Sequence, residues 1–241
     1  DRLVFTVLSV GAGSAMVFEL PDGRTVLCDA GSSNPYDVGR STVVPFLRHR
    51  GIRRIDRVYL SHANLDHYSG MPGILEEIET GPIIVNEYFP RRSPPSSPSR
   101  QFLDILAKRD HTVEIMNPSK PRWELGDVTF ERLSPSGEPD ENLSTNDTST
   151  VLRITYAGHS ILLTGDIEDR TQRALLQKKG DLGADVLVLP HHGSVRSSTK
   201  AFIEAVGADA VIRSSHQRMS ETYSGLRECV GAIPLYNTVD A

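Results

Sequence analysis

The chain reads as an α/β protein whose two halves repeat one grammar: strands joined by tight turns, then strands alternating with helices. Two observations carry this. Turn signals split β-rich runs at the start of each half, and helical periodicity then separates short apolar strands. Such an order predicts two mixed sheets packed face to face with helices outside, over one domain spanning 1–241. A length of 241 residues is enough to bury a substantial core in such a domain.

The elements follow in order. Leu3–Val10, Met16–Leu20 and Thr25–Ala30 are β-rich, separated by Gly11-Ala12-Gly13 and by Pro21-Asp22-Gly23. Thr42–Arg50 presents Val43, Val44, Phe46 and Leu47 before Gly51, the pattern of a short amphipathic helix with a glycine stop. Arg57–Ser61 is a strand, and Met71–Thr80 is helical. The segment at about 90–100, rich in proline and serine, reads as a mobile surface loop. A helix over Gln101–Arg109, a strand over Thr112–Met116 and β-structure from Trp123 to Leu133 complete the first pass.

The second pass begins with a hairpin, Thr150–Tyr156 and Ser160–Thr164, around Ala157-Gly158. Helix Glu168–Lys179, strand Asp185–Pro190, helix Thr199–Val206, strand Asp209–Ser214, a helix near Ser220–Val230 and strand Pro234–Asn237 follow.

Composition excludes several classes. With 38% hydrophobic and 24% charged residues the chain is ordinary for a globular protein. No apolar run nears the roughly 18 residues that span a bilayer. The opening carries no signal-peptide pattern and enters a strand at once, as expected of a piece of a longer chain. Two cysteines, Cys28 and Cys229, make no disulfide framework. At a net charge of −5, contact with nucleic acid must come from a local basic patch.

Four apolar strands run directly into metal-capable side chains: Leu27-Cys28-Asp29-Ala30-Gly31, Tyr59 through His67, Leu163-Thr164-Gly165-Asp166, and Leu189 through Ser194. Five of the eight histidines (His62, His67, His191, His192 and His216) lie at or beside strand ends. Imidazole nitrogen and carboxylate oxygen together suit a borderline divalent ion. Singly, each residue has a plain reading: Asp29 suits an Asx turn and Asp166 a helix N-cap. As an ordered set they point to metal.

His62, Asp66 and His67 resemble the metallo-β-lactamase signature His-x-His-x-Asp-His, with Asn64 in place of the second histidine. The run Leu8 to Ala15, Pro21 to Thr25, Val44 to Ile52, Leu163 to Glu168 and Pro190 to Ser194 are similar to blocks of the C-terminal domain of the ComEC family of competence (DNA-uptake) proteins. The resemblance implies an αββα sandwich holding one or two divalent ions. Asp66 and His67 would bind one position with His191 or His192. His62 would belong to the other, Asp166 would bridge, and Asp29 would orient the His62–His67 loop from behind.

Two departures weaken the first position. Asn64 offers only a carbonyl oxygen, and Asn146 and Asp147 stand where a third histidine motif is usual. Such oxygen donors favour harder ions such as Mn²⁺ or Mg²⁺ over tightly held Zn²⁺ at that position; for the centre as a whole Mn²⁺ or Zn²⁺ is expected, Mg²⁺ also admitted, with one strong and one exchangeable site.

The function implied is phosphodiester hydrolysis, a nuclease acting on DNA during competence-type uptake. Asp66 and Asp166 would hold the attacking water, with His192 and His216 available for phosphate contact or proton transfer. A free-standing hydrolase of small esters or phosphoesters and a catalytically degenerate DNA-binding or channel-bracing module are the alternatives. Two arginine clusters would draw in the DNA: Arg48, Arg50, Arg53, Arg54 and Arg57, and then Arg91, Arg92 and Arg100. Tyr68, Tyr88 and Phe89 are the aromatics expected to stack on bases. The parent is expected to be a bacterial inner-membrane protein, with this chain as a soluble domain beside its membrane channel.

Overall fold

The computed structural model describes residues 2–137, 139–178, 180–196, 198–216 and 224–240. Its chain divides into two compact units, Asp1–Asn117 and Pro118–Ala241.

The first unit opens with three antiparallel strands, β1 (Val4–Val7), β2 (Ala15–Glu19) and β3 (Thr25–Ala30). A turn of π-helix, Gly39–Val43, leads into α1 (Val44–His49). A short strand β4 (Arg54–Ile55) precedes β5 (Arg57–Leu60), which pairs parallel to β3. Helices α2 (Leu65–Tyr68) and α3 (Met71–Glu77), then β6 (Glu79–Thr80), lead to β7 (Ile83–Val85). Helices α4 (Tyr88–Arg91) and α5 (Pro98–Lys108) lead to β8 (Val113–Ile115). The six-stranded order is β1-β2-β3-β5-β7-β8, and β4 pairs separately with β6.

Parallel strands need crossovers, and the helices supply them. Every residue of β3 is buried, as befits a central strand covered on both faces. Leu27, Val58, Leu60, Ile83 and Val85 pack with Leu47, Met71, Ile74, Phe102 and Leu106 from the helices.

The second unit repeats this plan. Strands β9 (Arg122–Leu125), β10 (Val128–Ser134), β11 (Val151–Tyr156) and β12 (His159–Leu163) form an antiparallel run. Strands β13 (Val186–Val188), β14 (Ala210–Arg213) and β15 (Leu235–Asn237) then continue it in parallel. Helices α6 (Asp169–Gln177), α7 (Thr199–Val206) and α8 (Ser224–Val230) are the crossovers. Ala157 and Gly158 turn the β11–β12 hairpin, both at positive φ, the geometry that matches strand twist. Strand β10 alternates buried and half-buried positions without a break.

The α/β class and the doubled grammar expected from sequence are present. Two segments differ, and one boundary lies beyond what the structure describes. The helix expected over Met71–Thr80 stops at Glu77, because Ile78 is extended and Glu79 and Thr80 pair with β4. The segment at 90–100 is mostly built: Pro90 and Arg91 lie in α4, buried Ser93 donates to the Phe89 carbonyl at 2.7 Å, and Ser97 caps α5 by accepting from the Arg100 N–H. Ser220, expected at the head of the last helix, lies outside the described residues, as does the stretch to 223. Among the described residues, no helix is long and apolar enough to cross a membrane.

Candidate metal centre

In the first unit the side chains of interest stand at the C-terminal ends of the parallel strands β3, β5 and β7, where open α/β sheets present ligand-binding loops. Asp29, near the end of β3, sits at φ 55°, a left-handed conformation that Asp tolerates better than most residues. Its carboxylate is buried and fully used. Oδ1 accepts the Ser61 N–H at 2.8 Å, while Oδ2 lies 2.9 Å from Ser61 Oγ and 2.7 Å from His67 Nδ1. Ser61 Oγ is also 3.0 Å from His62 Nδ1 and 3.1 Å from His67 Nδ1. Both imidazoles are fully buried, their ring centres 4.2 Å apart.

A carboxylate can only accept, so His67 must donate from Nδ1. That fixes the neutral tautomer whose lone pair is on Nε2, the form a metal ligand requires. Asn64 occupies the N-cap position of α2, where its main-chain oxygen accepts the His67 N–H at 3.1 Å and its side chain makes no capping bond. Asp66, half-buried, follows in the first turn.

The loop rests on glycine backbone. A Cβ at Gly13 would come within 2.6 Å of the Asp66 carbonyl oxygen, and one at Gly31 within 2.6 Å of the His67 nitrogen. No larger residue fits, which gives the glycine-rich opening a packing role. From β7, Asn86 donates to the Ser61 carbonyl at 3.1 Å and accepts the Tyr88 and Phe89 N–H groups, tying α4 to the histidine loop.

In the second unit, Asp166 follows β12, its side chain 3% exposed and its N–H bound to Ser149 Oγ at 3.0 Å. His191 and His192 follow β13 with φ of 48° and 55°, two successive non-glycine residues in the left-handed region. Buried Arg213 steadies this turn, its Nε donating to the His192 carbonyl at 2.9 Å. His192 Nδ1 lies 3.1 Å from the Ser214 carbonyl oxygen, again an acceptor only, so the lone pair falls on Nε2. That Nε2 is 3.7 Å from Asp166 Oδ2.

His191 is held differently: Nε2 is 3.9 Å from Asp166 Oδ2, and Nδ1 is 3.3 Å from Glu168 Oε1. Glu168 Oε1 in turn is 2.5 Å from Arg196 Nη2. Burial works to raise the Glu168 carboxyl, but the hydrogen bond and charge of Arg196 outweigh it and hold the group below the usual carboxylate range.

Each unit therefore presents donors of the kind a divalent ion takes, Asp66 and His67 in the first and Asp166 and His192 in the second. Asn146 instead gives its amide to Glu168. Asp147 caps α6, its Oδ1 accepting the Glu168 and Thr171 N–H groups at 2.9 and 3.0 Å. His216 is exposed in a bend after β14. Ser61, Asn86, Ser149 and Glu168 were not anticipated, and only a strand-end position hinted at the first two.

The arginine clusters need correction. Arg57 opens β5, and the side chains around it stand at the end of that strand away from His62, about 13 Å off along four residues. Arg48 pairs with Glu77, Arg50 with Glu19, Arg54 with Glu79 and Asp56, and Arg57 with Glu114. A cavity of about 650 Å³ lined by Arg50, Arg53, Arg54, Glu19 and Asp56 occupies that same far end. Arg91, by contrast, ends α4 and Arg92 is its C-cap, and Asn86 ties that helix to the histidine loop.

The family model described as Metallo-beta-lactamase superfamily matches residues 8–216. The competence protein ComA of Neisseria gonorrhoeae is 31% identical over 216 residues, 89% of this chain and 27% of that protein. ComE operon protein 3 of Bacillus subtilis (strain 168) is 27% identical over 223 residues, 87% of this chain and 28% of its own length. The chain thus spans about a quarter of the length of these relatives. Among solved structures, a diphosphatase of the PhnP family aligns with a TM-score of 0.56 at 17% identity, covering 98% of this chain and 94% of that one. Igni18, a metallo hydrolase of Ignicoccus hospitalis, aligns at 0.58 with 14% identity, covering 97% and 95%. At such identities these two likenesses bear on the fold alone.

Proposed function

Because the chain belongs to the metallo-β-lactamase superfamily, we propose that it is a metal-dependent phosphodiesterase that cleaves DNA in competence-type uptake. In this reading the two units act as one domain, and Asp66, His67, Asp166 and His192 together hold a divalent ion. The observation that carries it is the matched locking of two imidazoles. His67 and His192 each spend Nδ1 on an acceptor-only oxygen, Asp29 Oδ2 and the Ser214 carbonyl, and so each offers an Nε2 lone pair.

Two imidazoles and two carboxylates fit Mn²⁺ or Zn²⁺ better than Mg²⁺, which prefers oxygen. Such an ion supplies Lewis acidity at a phosphoryl oxygen and acidifies water. The protein's own groups do the rest. Asp29 and Ser61 hold the His67 ring, Asp166 contributes a second carboxylate, and His191, oriented by Glu168, is placed to move a proton to the leaving oxygen. That role passes to His191 from exposed His216. His62 and the Asn64 carbonyl provide at most a weaker, exchangeable second position. Arg91 and Arg92 would meet the phosphate backbone, and the rest of a longer membrane protein would deliver the strand.

The test is a cleavage assay on DNA with Mn²⁺, Mg²⁺ and Zn²⁺, paired with metal analysis of purified protein. Mn²⁺- or Zn²⁺-dependent cleavage that falls by about 100-fold or more in Asp66→Ala supports the reading, since losing a ligand should cost at least what losing a supporting partner does. Hydrolysis of a small chromogenic phosphodiester but not of DNA points to a small-phosphoester enzyme. DNA binding with no turnover under any metal points to a module that has lost its chemistry.

A further inference from the structure

Tyr68, Tyr88 and Phe89, the aromatics expected to stack on bases, are at most 3% exposed and belong to the core. Recognition by the first unit therefore falls to its charged surface. The cavity of about 650 Å³ at the end of the sheet away from His62 lies wholly within that unit. Arg2, Arg50, Arg53 and Arg54 line it, against two carboxylates, Glu19 and Asp56.

The frame of this cavity is fixed. The Asp56 N–H donates to the Thr25 carbonyl at 2.8 Å, and Asp56 Oδ2 accepts the Thr25 N–H at 2.7 Å. The Ile52 N–H donates to the Leu47 carbonyl at 2.8 Å, anchoring the connection that carries Arg50, Arg53 and Arg54. Both carboxylates are already engaged. Arg50 Nε and Nη2 donate to Glu19 Oε1 and Oε2 at 2.9 and 3.1 Å. Asp56 Oδ1 lies 3.5 Å from Arg54 Nε, and Arg54 also pairs with Glu79. Among the described residues, Arg2 and Arg53 form no ion pair. Two guanidinium charges are thus left uncompensated in one concave place, on a protein whose net charge is −5.

That surplus selects the ligand. A guanidinium fork matches the oxygens of a carboxylate or a phosphate, but a phosphate monoester carries about −1.5 to −2 at pH 7 and a carboxylate only one charge. The cavity falls within the roughly 300–1,000 Å³ of small-molecule sites, larger than a bare phosphate needs, and half-buried Val4 and Ile52 give it apolar wall. We propose that this cavity binds a phosphate monoester with an apolar body, its phosphoryl oxygens held by Arg2 and Arg53. The monoester can be a small soluble molecule or the headgroup of a lipid such as phosphatidic acid. The site needs no metal and owes nothing to the DNA-cleaving reading.

Isothermal titration calorimetry with phenyl phosphate, in chelator at one low ionic strength, tests the soluble source. Sedimentation with phosphatidylcholine vesicles, with and without phosphatidic acid, tests the lipid one. Phenyl phosphate should bind more tightly than benzoate, and Arg53→Ala should raise its Kd by about 10- to 150-fold, the loss of a hydrogen-bonded charge. Arg53→Lys should lose less, since it keeps the charge without the fork. Arg48→Ala, in the same basic run but outside the cavity, should change little. Circular dichroism and melting confirm that each variant folds. Sedimentation that needs both phosphatidic acid and Arg53, with no phenyl phosphate binding, keeps the site and assigns the phosphate to lipid. Binding of neither probe overturns the site. So does an Arg53→Ala that binds as the parent does, or an Arg48→Ala that loses as much. A protein that binds phenyl phosphate through Arg53 but cleaves no DNA keeps this site and loses the nuclease reading.

Discussion

The two units hold their histidines by opposite means. In the first, His67 is fully buried and fixed by side chains, with Asp29 and Ser61 satisfying its Nδ1 and one another. In the second, His191 and His192 are 26% and 19% exposed and are fixed by main chain, through a left-handed turn that Arg213 and the Gly165 carbonyl keep in place. A ligand can thus be preorganised by a polar network behind it or by a strained backbone beneath it. The first arrangement should break when a side chain is removed, the second when the backbone is released.

The sharpest test of that contrast is Asp29→Ala. It strands the buried Ser61 N–H, which costs about 1–3 kcal/mol, and leaves the His67 Nδ1–H and the Ser61 hydroxyl with only each other and His62 Nδ1 as partners. We expect a loss of about 2–4 kcal/mol, read as a drop in Tm, together with loss of Mn²⁺ binding. Asp29→Asn separates the two effects. Its amide keeps an acceptor oxygen and tolerates the positive φ, so most stability returns, while metal affinity stays about 10- to 100-fold down. A melting curve for Asp29→Ala that overlays the parent's would mean the network is ornamental.

Asp147→Ala carries the comparison into the second unit. It removes the acceptor that caps α6 and should cost about 1–2 kcal/mol, a Tm fall of roughly 3–8 °C at this chain length. Metal affinity should change little. The opposite pattern, affinity lost and stability kept, would make Asp147 a ligand and not a cap.

What could be read in advance was local. Strand β3 and helix α7 match their expected limits because burial at every position and a clean helical period are written within each segment. The strand-end clusters were legible for the same reason. What could not be read depends on contacts distant in sequence. Ser61 matters because Asp29 lies 32 residues away, and Glu168 because Arg196 lies 28 away. The Arg48–Arg57 cluster was misjudged because nearness in sequence to His62 ignores strand direction: β5 carries the chain from the arginine end to the histidine end. Tyr68 and Phe89 read as recognition residues only until the stacking of Tyr68 on Phe102 and its edge contact with Phe89 are seen.

The smallest effect is also the most diagnostic of backbone strain. His191 at φ 48° and ψ 50° bears a left-handed penalty of about 1–2 kcal/mol that glycine does not. Glycine gives back about 0.5–1 kcal/mol through its greater freedom when unfolded. His191→Gly should therefore raise stability by about 0.5 kcal/mol and Tm by roughly 1–2 °C, despite losing the Glu168 contact. His192→Gly should gain similarly from its own φ of 55° but lose the bound ion. Differential scanning calorimetry and metal analysis on the pair read both quantities at once. If His191→Gly loses the ion and His192→Gly keeps it, the ligand assignment reverses. If neither melts higher than the parent, the turn stores no usable strain, and the second unit must hold its imidazoles through side chains as the first one does.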